Sequence, residues 1–161
     1  MKKKGVGLLL GVGAGLGVVW FFRDAIAAMF DKRVDIEVED VKGAPRIVDV
    51  TPETVTVKHN GHVRWTVHNH SQHDVVVSLR DWQDDSSREP VPPAVDPDPD
   101  DKEEPPQHGL SREVPGGKKR PIRGRARKPQ RDGEEAAEEH VKYAVYLGEE
   151  LAVDPIVKLV L

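Results

Sequence analysis

The chain has no cysteine among its 161 residues. Disulfide staples, thiolate metal sites, thiol redox chemistry and cysteine nucleophiles are therefore excluded. Aromatic residues make up only 5%, so any core must be built chiefly from Val, Ile and Leu. No Ser–His–Asp ordering, phosphate-binding glycine loop or isolated carboxylate pair in an apolar setting is present. The Asp and Glu residues lie in charge runs, where carboxylates are usually solvated, and the chain reads as a protein that is not an enzyme. Hydrophobic residues are 37% and charged residues 32%, so part of the chain is expected to lie outside the core. The formal net charge of −4 averages over strong local blocks of opposite sign.

What is present begins with Lys2, Lys3 and Lys4, followed by an uncharged run over residues 5–22. At about 1.5 Å per residue this run spans roughly 27 Å, close to the bilayer hydrocarbon thickness. The lysines favour a cytoplasmic N-terminus (residues 1–4), with everything after Arg23 outside the cytoplasm, periplasmic or at the cell surface. Trp20, Phe21 and Phe22 would then sit at the outer interface. The alternative is a secreted protein, because Ala25-Ile26-Ala27 has the small-x-small form of a cleavage site. The run is longer than a usual signal core, which favours a retained single-pass anchor. Gly7, Gly11 and Gly15 recur at four-residue spacing, either as a seam for a partner helix or as the ordinary glycine content of a membrane helix.

After a linker over residues 23–33, Val34, Ile36 and Val38 alternate with Asp35, Glu37 and Glu39, the period of a half-buried strand. A second run covers residues 46–50. Val55 and Val57 then lead into Asn60-Gly61, which reads as a hairpin turn returning through Val63, Trp65 and Val67. Val75-Val76-Val77 suits a strand covered on both faces, and residues 141–147 and 156–161 form a closing pair around Gly148 and Asp154-Pro155. Residues 110–114 and 121–122 fit a strand and an edge strand around Pro115-Gly116-Gly117. Residues 134–140 are the one other stretch of helical appearance, and they are too short to matter. The expected architecture is an all-β antiparallel sandwich.

The run V-x-V-x-x-N-G-x-V-x-W-x-V-x-N over residues 55–69 resembles the cupredoxin signature of hairpin, core Trp and Asn-bearing turn. His73, four residues after Asn69, matches the first copper histidine of that family, and K-Y-A-V-Y-L-G at 142–148 with D-P-I-V-K-L-V-L at 154–161 is similar to its closing hairpin. The resemblance covers roughly residues 34–82 and 110–161 and implies a Greek-key cupredoxin-like sandwich over 34–161. Copper-binding members supply Cys, His and usually Met from the last hairpin, because the metal takes a thiolate and two imidazoles. Here Leu147 stands in the position expected for Cys, and Gly148-Glu149-Glu150-Leu151 offers no imidazole or thioether. The resemblance thus implies the scaffold without type 1 copper and without a resident cofactor.

Five of the seven histidines, His59, His62, His68, His70 and His73, fall close together in sequence. His59 and His62 flank the Asn60-Gly61 turn as a cross-strand pair, while His68, His70 and His73 gather around the next turn. A rise of about 3.3 Å per residue separates the groups by roughly 20 Å. His68, His70 and His73 are the candidate metal ligands, for Zn or Cu(II). Ordinary solvated use or a protonation switch are the alternatives.

Residues 81–104 carry ten acids against two bases, punctuated by prolines, and residues 83–108 are expected to be a disordered acidic insertion. Over residues 112–131 the sign inverts to nine bases against one acid. Lys118, Lys119, Arg120, Arg123, Arg125, Arg127 and Lys128 form a candidate surface for a polyanion or partner. Such blocks attract each other or a partner of opposite sign. Nucleic acid is not expected, because no aromatic platform is interleaved and the topology keeps the block outside the cytoplasm. The resulting expectation is a membrane-anchored extracytoplasmic domain serving protein interaction or assembly in the cell envelope, with an envelope or membrane protein as partner. Histidine-based copper or zinc binding or delivery, and binding of an anionic surface through residues 112–131, are the alternatives.

Overall fold

The computed structural model describes residues 31–99, 101–104 and 106–161. The expected anchor at 5–22, the cleavage motif at 25–27 and the glycine seam lie outside the described residues. Among the described residues there is no helix, and none long and apolar enough to cross a membrane. The expected all-β class holds.

Among the described residues thirteen strands follow in order: β1 (Asp31–Val41), β2 (Ala44–Thr51), β3 (Thr54–Lys58), β4 (His62–Asn69), β5 (Val75–Asp84), β6 (Val95–Pro97) and β7 (Ser111–Val114) come first. Then come β8 (Lys119–Ala126), β9 (Gln130–Arg131), β10 (Glu134–Glu135), β11 (Glu138–Leu147), β12 (Glu150–Val153) and β13 (Ile156–Val160). One large sheet has the order β2-β1-β4-β8-β6 and the other β3-β13-β11-β5-β7, with β12 pairing the end of β11, while β9 and β10 form a small two-stranded sheet of their own. Residues 31–33, expected in a linker, open β1, and the 134–140 stretch divides between β10 and the start of β11.

The sheets are mixed where only antiparallel pairing was expected. β1 runs parallel to β4, and β3 parallel to β13. The cause lies at two points where the chain changes sheet. β2 ends in the first sheet and β3 begins in the second across Pro52 and Glu53. The chain crosses back at Asn60-Gly61, so this turn is not a hairpin: β3 and β4 belong to opposite sheets. Val55 and Val57 meet Val63, Trp65 and Val67 through the shared core rather than along a strand edge. The turn keeps its expected backbone, with Asn60 at φ 63° and Gly61 N–H donating to Lys58 O at 2.8 Å. A Cβ on Gly61 would lie 2.9 Å from both Lys58 O and Val57 Cγ2, so the crossing admits only glycine without displacement.

Trp65, Trp82 and Tyr143 share one interior. Trp65 Nε1–H donates to the Tyr143 hydroxyl at 2.7 Å, and Trp82 stacks on the Tyr143 ring with centroids 4.8 Å apart. Burial pushes the Tyr143 phenol far above its ordinary range, and the bond from Trp65 offsets this only in part. Trp82 reaches the core through a bulge: Asp81, at φ 56°, shifts the pairing between Lys142 and Ala144 and inverts the pleat. Val75, Val77 and Leu79 point inward before the bulge and Trp82 after it. Asp tolerates this left-handed backbone better than most residues.

Residues 83–108, read from composition as disordered, carry defined structure in their described part. β5 continues to Asp84, the next turn is held by Asp84 Oδ1 accepting from Ser86 and Ser87, and β6 pairs with β8. Gly124 makes the last pairing feasible, since a Cβ there would lie 2.6 Å from Val95 Cγ2. The physical reason for the order is the neighbouring basic block, as its ion pairs show.

Candidate functional site

Three features of the surface and its supports carry chemistry. The first lies on the outer face of the sheet containing β1 and β4. Because Val34, Ile36 and Val38 fill the core, Asp35 and Glu37 point outward, and parallel pairing sets Glu37 beside His68. His68 Nε2–H donates to Asp35 Oδ1 at 2.9 Å, and His70 Nε2–H donates to Glu37 Oε2 at 2.8 Å. The two imidazoles stack with centroids 6.2 Å apart and planes 14° apart. Glu37, His68 and His70 each bring a ligand-type atom within 4.8 Å of the other two. Partial burial pushes the Asp35 carboxyl up, but hydrogen bonds from His68 and Arg33 outweigh it and hold the group below its usual range.

Of the three expected ligands, the structure brings His68 and His70 together and turns His73 elsewhere. His73 Nε2 lies 3.8 Å from Asp40 Oδ1 on the turn after β4. That turn is built on Asn69, whose Nδ2 donates to the carbonyls of His73 and Val114 while Oδ1 accepts from Ser71 N–H and Oγ–H. All hydrogen-bonding capacity of this buried amide is thereby used. Glu37 escaped sequence reasoning because it joins the histidines only through the β1–β4 register. His59 and His62 do not form the expected cross-strand pair across a hairpin, since the turn between them joins opposite sheets; His62 Nδ1 lies 3.4 Å from Asp98.

The second feature is the set of seven basic residues. Arg123 pairs with Glu103 at 2.8 Å and Asp101 at 3.5 Å. Arg127 makes a two-pronged bond to Glu139 at 2.7 and 2.8 Å, and also donates to the carbonyls of Pro92 and Pro93. Lys128 pairs with Glu135 at 2.7 Å. Arg120 is half-buried and donates to the Lys119 carbonyl, while Lys118, Lys119 and Arg125 are exposed. Beneath them, the Arg112 side chain is fully buried and is paired with Asp101 and, at 3.6 Å, with Glu103. Burial, reinforced by Arg123 and Arg120, lowers the pKa of Arg112. Arg112 and Arg123 thus bind the acidic segment through Asp101 and Glu103, while Arg127 and Lys128 bind the later carboxylates Glu139 and Glu135.

The third feature is a cleft of mixed lining and about 390 Å³ between edge strand β2 and the β12–β13 turn, formed by Val48, Val50, Val153 and Pro155 with Asp49, Glu53 and Asp154. Val48 is 47% exposed, Leu151 51% and Val153 37%. Val48 faces outward because pairing of β1 with β2 slips by one residue there: Glu37 opposes Asp49, but Val38 opposes Ile47. A second slip, between Val145 and Tyr146, shapes β12 in the same way. Arg46 and Glu150 form an ion pair that links the two edges. Strict alternation hides both slips, so the cleft was not read from sequence. Leu147, in the position expected for a copper cysteine, packs partly buried against the core.

No protein-family model matches this chain, and no curated protein matches it significantly. Solved structures that resemble it include the crystal structure of the CsuC-CsuE chaperone-tip adhesion subunit pre-assembly complex from archaic chaperone-usher Csu pili of Acinetobacter baumannii. The identity is 16% and the TM-score 0.44, with 68% of this chain aligned to 54% of that one. This chain therefore spans about half the length of that neighbour.

Proposed function

We propose that this chain is a non-enzymatic, membrane-anchored extracytoplasmic domain of cupredoxin-like build that serves protein interaction or assembly in the cell envelope. The observation that carries the reading is the cleft between β2 and β12. Val48 and Val153 line it from the outer edges of two sheets and Leu151 stands beside them on β12, so three of the exposed aliphatic side chains gather at one place, whereas Val41 and Val76 are exposed singly elsewhere. Exposed apolar patches with polar rims mark binding surfaces, and an open strand edge offers main-chain hydrogen bonds to an extended segment of a partner. Asp49, Glu53 and Asp154 supply the polar rim.

The cupredoxin-like build is supported by the roles of the residues that carry the resemblance. Trp65 anchors the common core and Asn69 orders the turn before β5. Membrane attachment is supported by the lysines and the uncharged run over residues 5–22. A lipid-binding role for the basic segment is less favoured, since Arg123, Arg127 and Lys128 already hold carboxylates of the same chain.

The test is affinity purification of the full-length protein from detergent-solubilised membranes, alongside Val48→Asp/Val153→Asp and a deletion of residues 1–23. The expected result is one partner that co-purifies with the wild type and is lost from the double variant, and a deleted form that moves to the soluble fraction. A partner retained equally by the double variant would refute the assigned surface. A deleted form that stays with the membrane would refute the anchor.

A further inference from the structure

The outer face of β1 and β4 carries a second inference, independent of the interaction surface. We propose that Glu37, His68 and His70 form a binding site for a single first-row divalent ion of the zinc class, with its remaining coordination positions open to solvent. The site is distinct from the Leu147 position, where the resemblance would place a copper cysteine, since Leu147 belongs to β11 in the other sheet.

The donor set comes from a rigid frame. Glu37 and His68 are paired across the parallel β1–β4 ladder, and His70 is fixed just past the end of β4 by its N–H donating to the Val38 carbonyl at 2.8 Å. Two imidazoles and one carboxylate match the preference of zinc and Cu(II) for nitrogen and oxygen donors. Donor atoms within 4.8 Å of one another must close to about 3.4 Å around a tetrahedral ion with bonds near 2.0–2.1 Å. Side-chain rotation supplies that movement, because His70 is exposed and Glu37 only partly buried. The ion would take the place of the proton now shared between His70 Nε2 and Glu37 Oε2.

Asp35 has the role that outer carboxylates commonly have at such sites. It accepts from His68 Nε2–H and so fixes the ring and leaves Nδ1 as the donor. Arg33 in turn holds Asp35 at 2.8 Å. The local charge balance includes Glu39 beyond Glu37 on β1, and Lys119 opposite His68 on β8. His73 is excluded from the set because it faces Asp40.

The experiment is calorimetric titration of ZnCl2 into the full-length protein in detergent micelles, purified without a histidine tag. The wild type is expected to bind one equivalent. His70→Gln and Glu37→Gln should each weaken binding by more than about tenfold, and Asp35→Asn by about tenfold through the ring it orients. His73→Ala and His62→Ala should bind like the wild type. In parallel, Cu(II) electron paramagnetic resonance should show two coupled nitrogens in the wild type and one in His70→Gln. His70 lies in solvent, so His70→Gln keeps the fold, and metal-free melting curves that match the wild type verify this. No binding by the wild type, unchanged affinity in His70→Gln, or a loss in His73→Ala as large as in His70→Gln would each overturn the proposal.

Discussion

Replacing Asp101 with alanine is expected to destabilise the domain by about 3 kcal/mol, because it strands the buried Arg112. The Arg112 side chain has 0% exposure and its partner Asp101 4%, so the pair lies out of water. Breaking a buried pair by removing one partner costs about 3–5 kcal/mol, because the remaining charge is stranded. Glu103 stays 3.6 Å from Arg112 and places the expected cost at the low end. For a domain of this size each kcal/mol moves the melting point by roughly 3–4 °C, giving a fall of about 10 °C. Arg112→Met in the Asp101→Ala background should recover most of the loss, since an apolar side chain of similar length is accepted where a pair is not. Thermal unfolding of the full-length protein, followed by tryptophan fluorescence, measures both. A fall of less than about 2 °C for Asp101→Ala would show that the acidic segment is not seated on Arg112 and that ion pairing does not order residues 83–108.

Three further outcomes follow from the same contacts. Tyr143→Phe removes the acceptor of Trp65 Nε1–H inside the core and should cost about 1–3 kcal/mol in thermal unfolding; a neutral result would mean that the indole finds another partner. Gly124→Ala drives a methyl into Val95 and should cost about 1–3 kcal/mol, with faster amide exchange at β6 than elsewhere; unchanged exchange there would contradict the close packing of β6 on β8. Hydrogen bonds from Ser86 and Ser87 lower the Asp84 carboxyl to about 2, so this turn contributes stability above the ordinary carboxylate range and loses it as pH falls from about 4 through 2. Carboxyl titration by NMR checks the sign, and an Asp84 midpoint near 4 would refute the assigned bonds.

Period-two alternation revealed β1, β3, β4 and β11, because each turns its large apolar side chains to one face against one core, even though Thr66 and Ala144 are buried on the other. It could not reveal the slips at Asp81 and Val48, where one extra residue reverses which side chains face inward. Asn60-Gly61 announced a tight turn correctly but not its setting, since the same two residues serve a hairpin or a passage between sheets. Composition marked residues 83–108 as too polar to bury, which is true of that block taken alone. Arg112 and Arg123 change the balance by pairing with Asp101 and Glu103, and Arg127 by donating to the Pro92 and Pro93 carbonyls, contacts that composition alone does not show. The histidine group was half legible: proximity in sequence selected His68 and His70, whereas Glu37 enters from a strand more than thirty positions earlier.

The interaction role is tested most directly by placing a photo-crosslinking amino acid at Val48, Val153 or Thr56 in the full-length protein in intact cells. Thr56 is an exposed position on edge strand β3, outside the cleft. One discrete adduct is expected from Val48 and the same adduct from Val153, absent from Thr56 and abolished when the other cleft valine is changed to Asp. Equal adducts from all three positions, or none from Val48 and Val153, would contradict it.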